Sequence, residues 1–489
     1  MTKKIIIIGG GPAGMVAGYE AVKNGLKPTV LDDHPDSWGG IARTMNYKGY
    51  LFDIGPHRFF SKSREILDFW DEVLKDDLVI RNRLSRLYYN GKFYYYPLKV
   101  TNALFNLGVF TSFVAFLSYV KSRLFPIKEP KLFEDWVSNQ FGKILYETFF
   151  RSYTEKVWGI SCKELSADWA AQRIKGLSLS NAIKNALFPN LGKKKDKVIK
   201  TLTSTFFFPK KGAGQMWTRC AELIEKKGGN CYLGASVFKI EHDNCIITRC
   251  YARTKDGDKC YNVDELIASM PIKNLINAMS PKPPENVLVA ANDLKYRDYL
   301  IVILLVNAKG LFDDNWIYIH DPSVKLGRVP NFNNWGSDMI YDQNHTCLGL
   351  EYFCFEGDDL WNSTDEKLIE LGKKEISKIK LANASDVFDG HVVRQPKAYP
   401  VYDDHYKKNL EIIREYLGKF ENIQLVGRNG THRYNNMDHS MMTGMLASRN
   451  IVKGKRIYDP WMINVDAQYH EEVGQEDMSM KKSYVLKLL

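Results

Sequence analysis

Apolar positions change their spacing several times along this chain, and each change marks an element. Ile5 to Ile8 is an unbroken run of β-branched residues, the pattern of a short strand covered on both faces. It leads straight into Gly9, Gly11 and Gly14, spaced as G-x-G-x-x-G, and the positions from Pro12 and Ala13 to Lys23 predict a helix. A second short strand, Pro28 to Leu31, ends in Asp32, 23 residues after Gly9. Together these make a complete β-α-β unit. Its glycines let the backbone turn tightly and approach a pyrophosphate, whose charge suits the helix N-terminus. Asp32 stands where a carboxylate accepts from a ribose hydroxyl. The unit predicts a dinucleotide site and leaves the dinucleotide open.

Further along, Gly39 and Gly40 form a second glycine turn that passes through Ile41 and Ala42 to Arg43. "YLFDIG" alternates as a strand does and is closed by Gly55, Pro56 and His57. "SREILDFWDEVL" and "FEDWVSNQFGKILYETFFRSYTEKVW" space their apolar residues at three and four, as helices do, and Asn90-Gly91 between them predicts a hairpin turn. Phe206 to Gly214 predicts a strand and glycine loop, followed by a helix through Lys227. "NCYLGASVFKIEHD" predicts one strand that includes Val237, and "NVDELIASMPI" a strand returning to the first sheet. The last block, from Glu421 to Val452, predicts a strand ending at Val426, a loop, and an amphipathic helix from about Asp438.

This order predicts an α/β fold built on a discontinuous Rossmann-like domain, from residues 1–60, 205–285 and 405–465. A mainly helical segment with a hairpin (61–204) and a strand-rich segment (286–404) are inserted, and 466–489 form a tail. A second glycine turn before an arginine and a C-terminal strand-loop-helix suit the extended FAD better than NAD, which the fingerprint alone also allows.

Composition narrows the class. The 489 residues carry 68 Lys and Arg against 57 Asp and Glu, a net +11. The basic residues are scattered, apart from Lys193 to Lys195, so a basic site or face is expected and a nucleic-acid arm is not. Eight cysteines without a C-x-x-C pair predict neither a metal site nor a disulfide framework. The N-terminal apolar run is too short for a signal peptide, and the expectation is a cytoplasmic protein. Ala103 to Val120 is 18 residues long and uncharged, but Asn106, Thr111, Ser112 and Ser118 interrupt it. A buried helix is expected there in preference to a span, with a peripheral membrane contact left open.

The blocks "GGGPAG", "LDD", "GGIART" and "FDIGPHRFFS" resemble the FAD superfamily of amine oxidases, phytoene desaturases and protoporphyrinogen oxidases. Five more blocks resemble the UDP-galactopyranose mutases of that superfamily: residues 94–98, 149–174, 204–217, 316–335 and 427–444. The resemblance implies an FAD enzyme that interconverts the pyranose and furanose forms of a nucleotide-linked hexose, with N5 of reduced flavin as nucleophile. It implies a nucleotide-sugar substrate, with NAD(P)H as a candidate reductant, and is compatible with a homo-oligomer. Arg173 and Arg328 take the places of two arginines on the diphosphate, which guanidinium forks hold bidentately. Tyr399 and Tyr434 match diphosphate donors, Tyr96 and Tyr318 fall in substrate-facing blocks with Lys99 directly after the first, and His57 lies beside the flavin. The turn at Gly427 and Arg428 and the helix start at Asn436, Met437, Asp438 and Ser440 match the flavin end.

Three departures bear on specificity. Leu98 and Lys99 stand where eukaryotic mutases have a phenylalanine and a glutamine, which removes a ring for uracil. Trp335 stands in place of a tyrosine, and Pro56 in place of the second glycine of the histidine loop. The alternative is an oxidase or desaturase of the same superfamily.

Overall fold

The computed structural model of the chain describes residues 3–96, 100–167 and 205–464. The Ile5–Ile8 strand lies at the centre of a five-stranded parallel sheet. Glu265–Ala268 pairs on one side of it and Pro28–Leu31 on the other. Ile423–Leu425 and Asn230–Tyr232 form the edges. Two cores explain its unbroken hydrophobicity. Ile5 and Ile7 pack with the Pro12–Lys23, Gly214–Lys226 and Met437–Lys453 helices. Ile6 and Ile8 face the opposite layer, with Leu275, Ala291 and Leu417. A parallel strand with helices on both faces has no polar side.

Pro12–Lys23 packs against Met437–Lys453 through a glycine. A Cβ on Gly444 would lie 2.1 Å from the carbonyl oxygen of Ala13. This contact brings the start of the C-terminal helix beside the first glycine turn.

A seven-stranded sheet forms the other large layer. Its order is Val387–Pro400, Tyr296–Val306, Thr346–Cys354, Arg328–Pro330, Trp316–Ile319, Ser85–Tyr89 and Lys92–Tyr95. The Tyr296–Val306 strand, second in this order, is buried along its whole length. One face packs on the Asp365–Lys378 helix, the other on Phe206, Phe208 and Trp335. The Ser85–Tyr95 hairpin, which the sequence groups with the helical insertion, joins this sheet by pairing with Trp316–Ile319. Its turn residues, Asn90 at φ +48° and Gly91 at φ +73°, sit in the left-handed region as the Asn-Gly signal implies.

Three local expectations are corrected. "NCYLGASVFKIEHD" is two strands in two sheets, Asn230–Tyr232 and Ser236–Asp243, because Gly234 at φ +63° breaks the run. The helix expected from Phe133 to Trp158 is interrupted at Gly142, φ +84°, and contains a π-helical turn at Tyr146–Arg151. The 103–120 stretch is not a buried helix. It lies in two helices, Val100–Leu107 and Val109–Leu124, which meet at Gly108, and Ala115 is the single buried residue of the second. Among the described residues no helix is long and apolar enough to cross a membrane.

Gly444→Val is expected to destabilise the chain by about 2 kcal/mol or more, because the overpacked contact forces two helices apart. Thermal or denaturant unfolding of the variant against wild type measures this.

Candidate active site

Two glycine turns meet at the carboxyl end of the parallel sheet. Gly9 has φ +100° and its N–H donates to Leu31 O at 2.7 Å. A Cβ on Gly14 would lie 1.9 Å from Gly9 O, so the helix that Pro12 and Ala13 open can start directly on the strand only with glycine there. Gly39, at φ +121°, donates its N–H to Gly10 O at 2.9 Å and so ties the second turn to the first. Gly40, Ile41 and Ala42 follow as a single 3-10 turn. The Asp32 carboxylate accepts from Gly10 N (2.5 Å) and His34 N (2.9 Å) and is buried, which pushes its pKa up to about 6. It therefore braces the first glycine turn as well as standing at the expected ribose position. Val237 lies two residues beyond Ala235, whose N–H donates to Asp32 O at 2.7 Å.

Arg43 is buried and donates from Nη1 to Gly40 O (2.7 Å) and Gln395 Oε1 (2.6 Å). Its Nε has no partner among the described residues. Asp53 is buried and accepts from Thr44 Oγ1 (2.5 Å) and Ala213 N (3.1 Å). Desolvation raises its pKa to about 7. This carboxyl pins the strand end from which Gly55, Pro56 and His57 project.

A Cβ on Gly55 would have Tyr299 Oη at 3.6 Å and, at 3.8 Å, both Arg328 Nη2 and His57 Cε1. That point is where the two layers of the fold face one another. Arg328 sits at the start of a short strand, opposite Tyr318 on one neighbour and Glu351 on the other. Its Nε donates to Glu351 Oε2, and Glu351 is fully buried. The carboxylate and the surrounding phenols hold the guanidinium firmly protonated, its pKa raised despite burial. His57 goes the other way. Burial and the Arg428 and Arg328 charges lower its pKa to about 3, and its Nδ1 has no partner among the described residues.

Aromatic rings form the rest of the wall. Tyr318 packs edge-on against Tyr96 at 5.3 Å and Tyr153 at 5.8 Å. Tyr399 and Tyr434 stack at 5.5 Å, and the Arg428 guanidinium lies over both, 5.3 and 4.8 Å from their centroids. Arg428 is fixed by Asn435 O and Ala398 O, each at 3.0 Å. Asn436 caps the Met437–Lys453 helix in a capping box with His439, and Asp438 accepts from Ser61 Oγ at 2.9 Å. Met437 and Ser440 are buried in that first turn.

The expected site residues therefore converge, with three exceptions. Trp335 is core: its Nε1 donates to Asn315 O at 2.8 Å, and it is packed by Phe206, Phe208 and Trp316. It backs the wall that Trp316 and Tyr318 form. Arg173 and Lys99 lie outside the described residues. Sequence reasoning missed Tyr299, Glu351 and Tyr153, and also Arg58 and Arg83, which lie 5.0 and 5.6 Å from the Trp316 ring. Glu351 carried a signal, because a carboxylate inside the apolar run "CLGLEYF" has to be paired when buried.

Unpartnered Arg43 Nε and His57 Nδ1, and the side-chain-free backbone at Gly11 and Gly55, fit a long polar cofactor laid from the first glycine turn to the histidine loop.

Removing one charge of the buried pair strands the other. Glu351→Gln is expected to cost about 3 kcal/mol, read from denaturant unfolding. The depressed His57 pKa sets a second expectation. Its contribution to stability is complete above 6.5 and is lost as pH falls towards about 3. Unfolding curves across that window are expected to fall less steeply with acid in His57→Asn than in wild type.

Comparison with known proteins agrees with this fold. Residues 7–73 match the model of an NAD(P)-binding Rossmann-like domain. A 4,4'-diapophytoene desaturase (4,4'-diapolycopene-forming) of Methylomonas sp is 44% identical over 55 residues, 11% of each chain. The dTDP-fucopyranose mutase of Escherichia coli is 27% identical over 180 residues, 34% of this chain and 44% of that one. The match thus spans less than half the length of these curated relatives. The crystal structure of reduced UDP-galactopyranose mutase superposes with a TM-score of 0.81 at 22% identity, over 96% of this chain and 97% of that one. The chain has the fold of UDP-galactopyranose mutase, with a Rossmann-like dinucleotide-binding unit at its core.

Proposed function

We propose that this chain is an FAD-dependent mutase that interconverts the pyranose and furanose forms of a nucleotide-linked hexose. The observation that carries the reading is the wall around Gly55 and His57. Arg328, Arg428 and the Tyr318, Tyr399 and Tyr434 rings converge there, with Glu351 as the carboxylate that holds Arg328. Such a wall suits a diphosphate. It would repel an ammonium substrate, so it favours the mutase over the amine oxidase reading.

Bound reduced flavin would supply the nucleophile for the anomeric carbon, with NAD(P)H as the candidate source of its electrons. The chain's own groups bind and orient. Glu351 fixes the fork of Arg328, so that its remaining N–H groups can hold the diphosphate as anchor and as leaving group. Tyr399, whose pKa burial and the neighbouring Tyr434 raise to about 12, and Tyr153, which burial also raises, stay protonated and act as hydrogen-bond donors. His57 stays neutral, so it offers a hydrogen bond without adding a charge beside two arginines. Arg43, Asp32, the Gly427 turn and the Met437–Lys453 helix start would hold the cofactor.

Anaerobic, dithionite-reduced, FAD-loaded protein is expected to convert UDP-galactopyranose or dTDP-fucopyranose to its furanose isomer, with no oxygen or NAD(P)H consumed per product. Arg328→Lys is expected to lower kcat/KM by about 10- to 100-fold. Air-dependent peroxide release on adding an amine or polyene, with both nucleotide sugars unchanged, would select the oxidase reading instead.

A further inference from the structure

The Val100–Leu107 and Val109–Leu124 helices are turned inside out. Three of their polar residues point into the protein: Asn102 accepts from Tyr95 N (3.0 Å), Asn106 donates to Phe93 O (2.8 Å), and Ser118 accepts from Ile144 N (3.3 Å). Their large apolar residues point out. Phe105 is 87% exposed, Val109 88% and Phe110 81%, and Phe113, Leu124 and Phe125 continue the patch. Single exposed rings are ordinary on a protein surface, but a contiguous set on two helices marks an interaction surface.

Charge identifies the partner. Between Val100 and Lys128 the chain has three Lys and Arg and no Asp or Glu. Lys121, Arg123 and Lys128, at the end of the second helix and just beyond it, are exposed. We propose that this helix pair docks flat on a bilayer containing anionic lipid, its rings entering the acyl boundary and its basic end meeting the headgroups. The 16-residue second helix is too short to span, since about 20 apolar residues are needed. A second copy of the chain fits less well. A two-fold interface brings the same face onto itself, and this stretch offers no carboxylate to meet its cations. Ala103, Leu107 and Tyr96 all pack against the cluster of Leu87, Tyr94 and Phe149, so docking would bring the pocket wall close to the membrane. The inference is independent of what the pocket binds.

The test is flotation of the full-length, cofactor-loaded chain with vesicles of phosphatidylcholine, with and without phosphatidylserine, at low and high salt. Binding is expected with phosphatidylserine and to weaken with salt. Phe110→Ser with Phe113→Ser, and separately Lys121→Glu with Arg123→Glu, are expected to lower it about tenfold each. Both pairs are exposed, so unchanged melting temperatures show that the variants still fold. Failure of wild type to float overturns the proposal. If that failure comes with a dimer that the phenylalanine substitutions disperse, the occupant is a second copy.

Discussion

A strand that becomes a helix within three residues leaves no room for side chains at the join, and the architecture is arranged around that constraint. Gly14 can have no Cβ because Gly9 O occupies its place, and Gly444 none because Ala13 O does. The first contact lets the helix start on the sheet. The second seats the C-terminal helix on it. With both made, the N–H groups at two helix starts and the backbone of the second glycine turn are gathered at one end of a parallel sheet, where a diphosphate-bearing ligand gains most from them.

The other half of the site depends on a buried charge pair. Arg328 and Glu351 face each other across neighbouring strands, in a sheet whose Tyr296–Val306 strand is buried along its whole length. Neither charge would be tolerated there alone. Paired, they set a guanidinium at a fixed point opposite Gly55. The layers are in turn tied by Arg43 to Gln395 and by Arg428 to Ala398, so the glycine turns and the strand-rich layer share hydrogen bonds across the cleft.

Electrostatics in the pocket sort its groups by task. Burial raises Tyr153, Tyr299 and Tyr399 and keeps them donors, whereas burial and two neighbouring guanidiniums lower His57 and keep it uncharged. Among the described residues, the positive charge of this wall resides on arginines, the side chains that do not titrate in the working range.

Much of the first sheet was legible in the sequence, since four isoleucines, the glycine spacing and the Asp32 position are all local signals of one β-α-β unit. Local signals also placed the Asn90-Gly91 turn and the histidine loop. They did not reveal Tyr299 or Glu351, because each becomes a site residue only through strand pairing across distant parts of the chain. Trp335 read as a pocket residue and is core, since packing by Phe206, Phe208 and Trp316 decides which face of a chain sees a ligand. The 103–120 stretch read as interior and is surface. Hydrophobicity along a sequence records how poorly a segment suits water, and only the tertiary packing decides which of its sides has a partner within the chain.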